Sequence, residues 1–113
     1  MDTVKHADAV ALEASQTFAG KVKALVPDAV VILYGSAARN EMEEFSDIDI
    51  YVEIPDIYDI AKIKPQIDDF AWEAGFYFGK VIQAFVYRKS DVWDTPRRSS
   101  PFIKTVHREG IIL

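Results

Sequence analysis

Two carboxylates one residue apart, Asp47 and Asp49, open the run DIDIYVEI, in which Ile48, Ile50, Val52 and Ile54 alternate with polar neighbours. That period belongs to a β-strand, where residues i and i+2 share a face with Cα atoms roughly 6.5–7 Å apart. Asp47 and Asp49 are therefore predicted to stand side by side, a repulsive arrangement unless solvent screens it or a cation lies between them. Hard oxygen donors so placed suit Mg²⁺, which is held by one or two carboxylates with phosphate oxygens and water. A pair of such ions roughly 3.5–4 Å apart stabilises both the attacking and the leaving oxygen of a phosphoryl displacement. Upstream, across residues 37–46, lies Gly35-Ser36 at the end of an apolar run. A glycine there lets backbone N–H groups approach a phosphate closely, and a serine hydroxyl adds to the cradle. Arg39, one turn further on, brings a guanidinium fork to the same anion.

Each feature alone is ordinarily structural: Gly-Ser is a turn, Asp-x-Asp is solvated surface, and a lone Arg is a surface cation. Their spacing is the stronger signal, and it needs particular elements to hold it. Residues 3–25 read as a helix, with Ala11, Ala14, Phe18, Val22 and Leu25 on one face and Pro27 beyond its end. The run AVVILY, 29–34, reads as a buried strand broken by Gly35, and Ser36 as the cap of a short helix through Arg39. Residues 47–54 form the second strand. Helical spacing over 57–74 contains Pro65, which predicts a kink or a restart there. Gly75 and Gly79 bracket a turn, and VIQAFVY, 81–87, is a third strand. A short helical piece starts at Ser90-Asp91. Ser100-Pro101 reads as the cap and first position of a helix to about Arg108, with Gly110 as its C-cap. The expected fold is α+β, a small mixed β-sheet with helices packed on it, in a single domain over 1–113.

Composition narrows the partners. Half of the 113 residues are hydrophobic, enough for a core, and there is no cysteine for a disulfide or thiolate site. No apolar run approaches a membrane span, so the expected setting is cytoplasmic, with no membrane partner. The net charge of −5 argues against a nucleic-acid partner. That charge is uneven: residues 1–80 carry 15 acidic and 7 basic side chains, and 81–113 carry 3 and 6. A basic end on an acidic body suits an acidic partner or an anionic substrate, though an ordinary mixed surface fits as well. The two histidines, His6 and His107, lack metal-ligand spacing. The aromatic run 76–78, with Trp72 and Trp93, is expected to pack rather than to form a stacking platform or partner surface. Arg97-Arg98 and Asp68-Asp69 read as exposed pairs.

The run GSAARNEMEEFSDIDI resembles the signature of the DNA polymerase beta-like nucleotidyltransferases, and more narrowly that of the minimal nucleotidyltransferase (MNT) domains, which are of about this length. The tail SPFIKTVHREGIIL is similar to the way many of those domains end. The resemblance implies that Gly35, Ser36 and Arg39 bind nucleotide phosphates and that Asp47 and Asp49 are catalytic and bind Mg²⁺, with Mn²⁺ as a substitute. The implied reaction moves AMP from ATP, or another NMP from its triphosphate, to an acceptor. It also implies a HEPN-domain protein as partner, with this chain as the antitoxin of a toxin–antitoxin pair, and leaves a homo-oligomer open. One departure stands out. Relatives commonly place a third carboxylate on the next strand, and the aligned residue here is Gln83, which cannot take a proton. The alternative implied is a catalytically weak or inactive nucleotide-binding or antitoxin module that works by direct protein contact.

Overall fold

The structure, a computed structural model, describes residues 9–38 and 47–113. Its elements in chain order are α1 (Ala9–Leu25), β1 (Val30–Tyr34), β2 (Ile48–Ile54), α2 (Ile60–Phe78), β3 (Ile82–Arg88), α3 (Lys89–Trp93), a 3₁₀ turn (Pro96–Ser99), α4 (Pro101–Glu109) and β4 (Ile111–Ile112). The strands form one mixed sheet in the order β3-β2-β1-β4, as the α+β expectation required. β2 runs antiparallel to β1 and parallel to β3, and β4 joins the other edge of β1 antiparallel.

Strand alternation divides the molecule into three layers. Ile48, Ile50, Val52 and Ile54 of β2 and Val31 and Leu33 of β1 are fully buried with Phe18 and Val22 of α1 and Ile67 of α2. The opposite face carries Ile32 and Tyr51, which α3 and α4 cover through Val92, Ile103 and Val106. β4 was not anticipated. Two residues show no period, and the strand exists because Ile111 and Ile112 find Leu33 and Ile32 across the sheet.

Four local expectations are corrected. No helix forms at Ser36; residues 35–38 are turns, and the remainder of that predicted helix, with Arg39, lies outside the described residues. α2 passes through Pro65 without a restart. Pro65 lies near the helix start, where its missing N–H frees only the carbonyl of Ala61, an exposed residue. Gly75 sits inside α2 rather than in a turn. There a Cβ would meet the Lys80 carbonyl oxygen at 2.5 Å, so glycine is needed for close packing. The helix ends at Gly79, φ 68°, with Lys80 N–H donating to the Gly75 carbonyl at 2.8 Å. α2 carries Trp72 on its outer side and, because it extends to Phe78, Phe76 and Tyr77 as well; they are 68%, 76% and 80% exposed, where packing was expected. The α4 start is as read: Ser100 caps it by accepting from Ile103 N–H at 3.1 Å, with Pro101 first. Gly110 follows it in extended backbone, φ −73°, and is there because a Cβ would lie 2.2 Å from Ile32 Cγ2.

Two glycine replacements separate these roles. Nothing lies within 4 Å of a Cβ placed on Gly20 in α1, so Gly20→Ala is expected to stabilise by about 0.5–1 kcal/mol. Gly75→Ala, facing the Lys80 carbonyl, is expected to destabilise by about 1–3 kcal/mol. Urea unfolding of the two variants gives the two signs directly.

Candidate active site

Burial of the even-numbered residues of β2 leaves Asp47 and Asp49 no choice of face. Both carboxylates are half-buried on the face opposite α1 and α2. Asp49 is registered between two neighbours, Tyr34 on β1 and Gln83 on β3. Because Tyr34 is the last residue of β1, the next residue, Gly35, turns over the Asp49 side chain. It does so with φ 75°, and a Cβ there would lie 3.1 Å from Asp49 Oδ2. Glycine is therefore required twice, for the left-handed backbone and for the closeness of the acid. Ser36 follows, half-buried, and Ala37 and Ala38 are buried in the core, pinning the turn. The structure thus brings Gly35, Ser36 and Asp49 to one corner of the sheet, with Asp47 beside them.

The corner concentrates negative charge. Burial raises the Asp49 carboxyl above its ordinary value, and the Asp47 charge raises it further. Tyr34 is pushed well above the usual tyrosine range, chiefly by burial and then by the Asp49 charge. Gln83 Nε2 donates to Asp47 Oδ2. The residue aligned with the missing third acid therefore does stand in the corner, where it ties down one oxygen of the first. Asp47 and Asp49 are the side chains able to hold a divalent cation there. Their fit rests on the donor set: two hard carboxylates, one of them driven toward protonation by burial and then by the other's charge, a bias that a bound cation would relieve. Among the described residues no group of three acidic or histidine side chains is gathered for a metal.

Further along the same face lies a second polar cluster that the sequence did not disclose. Glu53, 5% exposed, accepts from Tyr51 Oη at 2.8 Å and from Trp93 Nε1 at 2.7 Å, both on Oε1. Tyr87 stacks on Tyr51, and His107 packs edge-on to Tyr51 beside Trp93. The i, i+2 placement of Tyr51 and Glu53 was visible in the strand pattern; the indole that joins them, 40 positions on from Glu53, was not. This network seals the face beyond the carboxylate pair and locks α3 to β2.

Trp93 is thus held by Glu53, whereas Trp72 stays outside. Among the described residues no helix is long and apolar enough to cross a membrane.

Comparison with known proteins is direct on one point. Residues 15–111 match the family model described as a nucleotidyltransferase domain. A crystal structure of a presumed nucleotidyltransferase from Sulfolobus solfataricus superposes with a TM-score of 0.46 at 15% identity, covering 93% of this chain and 86% of that one. No curated protein matches the chain. The family match spans α1 from Ser15, both site strands, Gln83 and the C-terminal helix, and on that ground the chain belongs to the nucleotidyltransferase domain family.

Proposed function

We propose that this domain transfers a nucleoside monophosphate, AMP from ATP, to a hydroxyl of a protein acceptor, with Mg²⁺ held by Asp47 and Asp49. The observation that carries the reading is the meeting of the Asp49 carboxylate with the positive-φ Gly35 turn at one sheet corner. Gly35 and Ser36 present backbone N–H and hydroxyl donors to the triphosphate, and Arg39, outside the described residues, is proposed as a further phosphate ligand. Mg²⁺, when bound, neutralises the charge of the phosphates and of the two carboxylates. The transfer forms a bond from the acceptor oxygen to the α-phosphorus, breaks the bond to pyrophosphate, and releases the acceptor proton to solvent. Gln83 takes no proton; it orients Asp47 through its amide. Transfer of this kind depends chiefly on positioning and charge neutralisation, so it survives without a third carboxylate, more slowly.

The resemblance to minimal nucleotidyltransferases is what supports a protein acceptor, and it supports a cytoplasmic antitoxin role beside a HEPN-domain partner. The Gln83–Asp47 hydrogen bond favours one second reading, a nucleotide-binding or antitoxin module that acts by contact alone.

The test is label transfer. The protein, Mg²⁺, α-labelled ATP and the protein encoded beside it are expected to yield labelled partner, and Asp47→Asn/Asp49→Asn to abolish the label. Tight complex formation without label, unchanged in that variant, supports the contact reading instead. Gln83→Asp is expected to raise turnover by about 10²–10⁴, the range that general-base help provides.

Asp49 also links site and stability. Its folded pKa lies above the unfolded value, so the fold binds the proton more tightly and loses stability as pH rises through the Asp49 titration. At neutral pH that loss is fully present. Asp49→Asn is therefore expected to raise Tm, by an amount that solvent screening of the half-exposed group keeps small, while ending transfer, the usual opposition between site and stability. Calorimetry at pH 7 shows the gain, and the gain disappears at a pH below the Asp49 titration.

A further inference from the structure

The groove beside the site has its own chemistry. β3 is an edge strand: among the described residues its partner is β2 alone, and its outer N–H and C=O groups face away from the sheet. Natural edges are usually blunted by proline, lysine or a bulge. β3, IQAFVYR, has no proline or lysine. Along that edge runs a groove of about 580 Å³ between β3 and α2, lined among others by Trp72, Phe76, Val81, Gln83 and Phe85. Trp72 and Phe76 stack with centroids 5.2 Å apart and planes 10° from parallel, forming one rigid apolar wall that is exposed along its length. At the Gln83 end stands Lys80, which makes no ion pair among the described residues. Gln83 belongs both to this groove and, through Asp47, to the carboxylate corner.

We propose that this groove binds an extended segment of the acceptor protein, added to β3 as a fifth strand, with apolar side chains on the Trp72–Phe76 wall and a carboxylate on Lys80. The open ladder specifies extended backbone, the aromatic wall specifies apolar side chains, and the Lys80 ammonium, without an ion pair among the described residues, specifies an acid. A residue placed opposite Gln83 lies two strand spacings, roughly 9–10 Å, from Asp49, which brings its side chain toward the corner. A second copy fits less well. A twofold interface brings the same surface to itself, and two concave grooves facing each other enclose a void rather than fill one. The inference rests on the transferase reading only for what the docked segment is for; the docking itself is read separately.

The probe is a capped decapeptide of alternating valine and threonine with a terminal glutamate, N-methylated at alternate residues so that one bonding edge remains. It is titrated into the ¹⁵N-labelled full chain, and a proline-interrupted peptide serves as control. The decapeptide is expected to move the Trp72 indole signal but not that of Trp93, and to shift alternate β3 amides; the control is expected to move neither. Trp72→Glu/Phe76→Glu, both exposed positions, is expected to weaken binding at least tenfold. ATP–Mg²⁺ shifts at Gly35 and Ser36 are expected to persist in that variant. No β3 or Trp72 shift at about 1 mM peptide overturns the proposal. So does binding that the double variant leaves unchanged, or a wild-type dimer that the variant dissolves, which assigns the groove to a second copy. Absent nucleotide shifts with intact peptide binding sink the transferase reading and leave the groove standing.

Discussion

The two-residue period of β2 is the constraint on which everything else hangs. Four fully buried aliphatic residues on one face, Ile48, Ile50, Val52 and Ile54, fix which way the strand turns. A slip of one residue would turn all four onto the polar face of Asp49 and Glu53 and drive the acids into the aliphatic core instead. The hydrophobic core therefore places Asp47 and Asp49 side by side and holds them there against their mutual repulsion. The site's electrostatic cost is met by apolar packing on the far side of the same strand.

Gly35 is the second half of that arrangement. The β1–β2 register sets Tyr34 across from Asp49, so the residue after the strand must pass over the carboxylate. Any side chain would crowd it. Gln83, delivered by the β2–β3 register, reaches the pair from the other side with an amide in place of a charge. What separates this corner from a fuller acidic site is thus one amide donor that occupies an oxygen of Asp47 without adding a proton acceptor.

Much of this was legible in the residues because it depends on short-range period and on glycine. The strand phase and the Gly35-Ser36 turn could be read locally, whereas Gln83 was singled out only through the family resemblance. Other features could not, for reasons that differ. Pro65 was read as a kink or a restart because the rule is local, whereas its cost depends on its distance from the helix start. Gly75 was read as a turn because a glycine that serves packing looks the same as one that serves conformation. That misreading shortened α2, and it hid the outer position of Phe76 and Tyr77. The bond from Trp93 to Glu53 is a tertiary event with no periodic signature.

β4 carries a consequence for biogenesis. Ile112 pairs with Ile32, 80 positions earlier, and Leu113 N–H donates to the Val31 carbonyl at 2.9 Å. As the chain leaves the ribosome, β1 acquires β2 early but keeps its other margin vacant until residues 111–113 emerge. Closing so long a loop is entropically slow. For that interval the nascent sheet is unsealed on both flanks, and an obvious ally in that window is whatever binds unsatisfied strands cotranslationally.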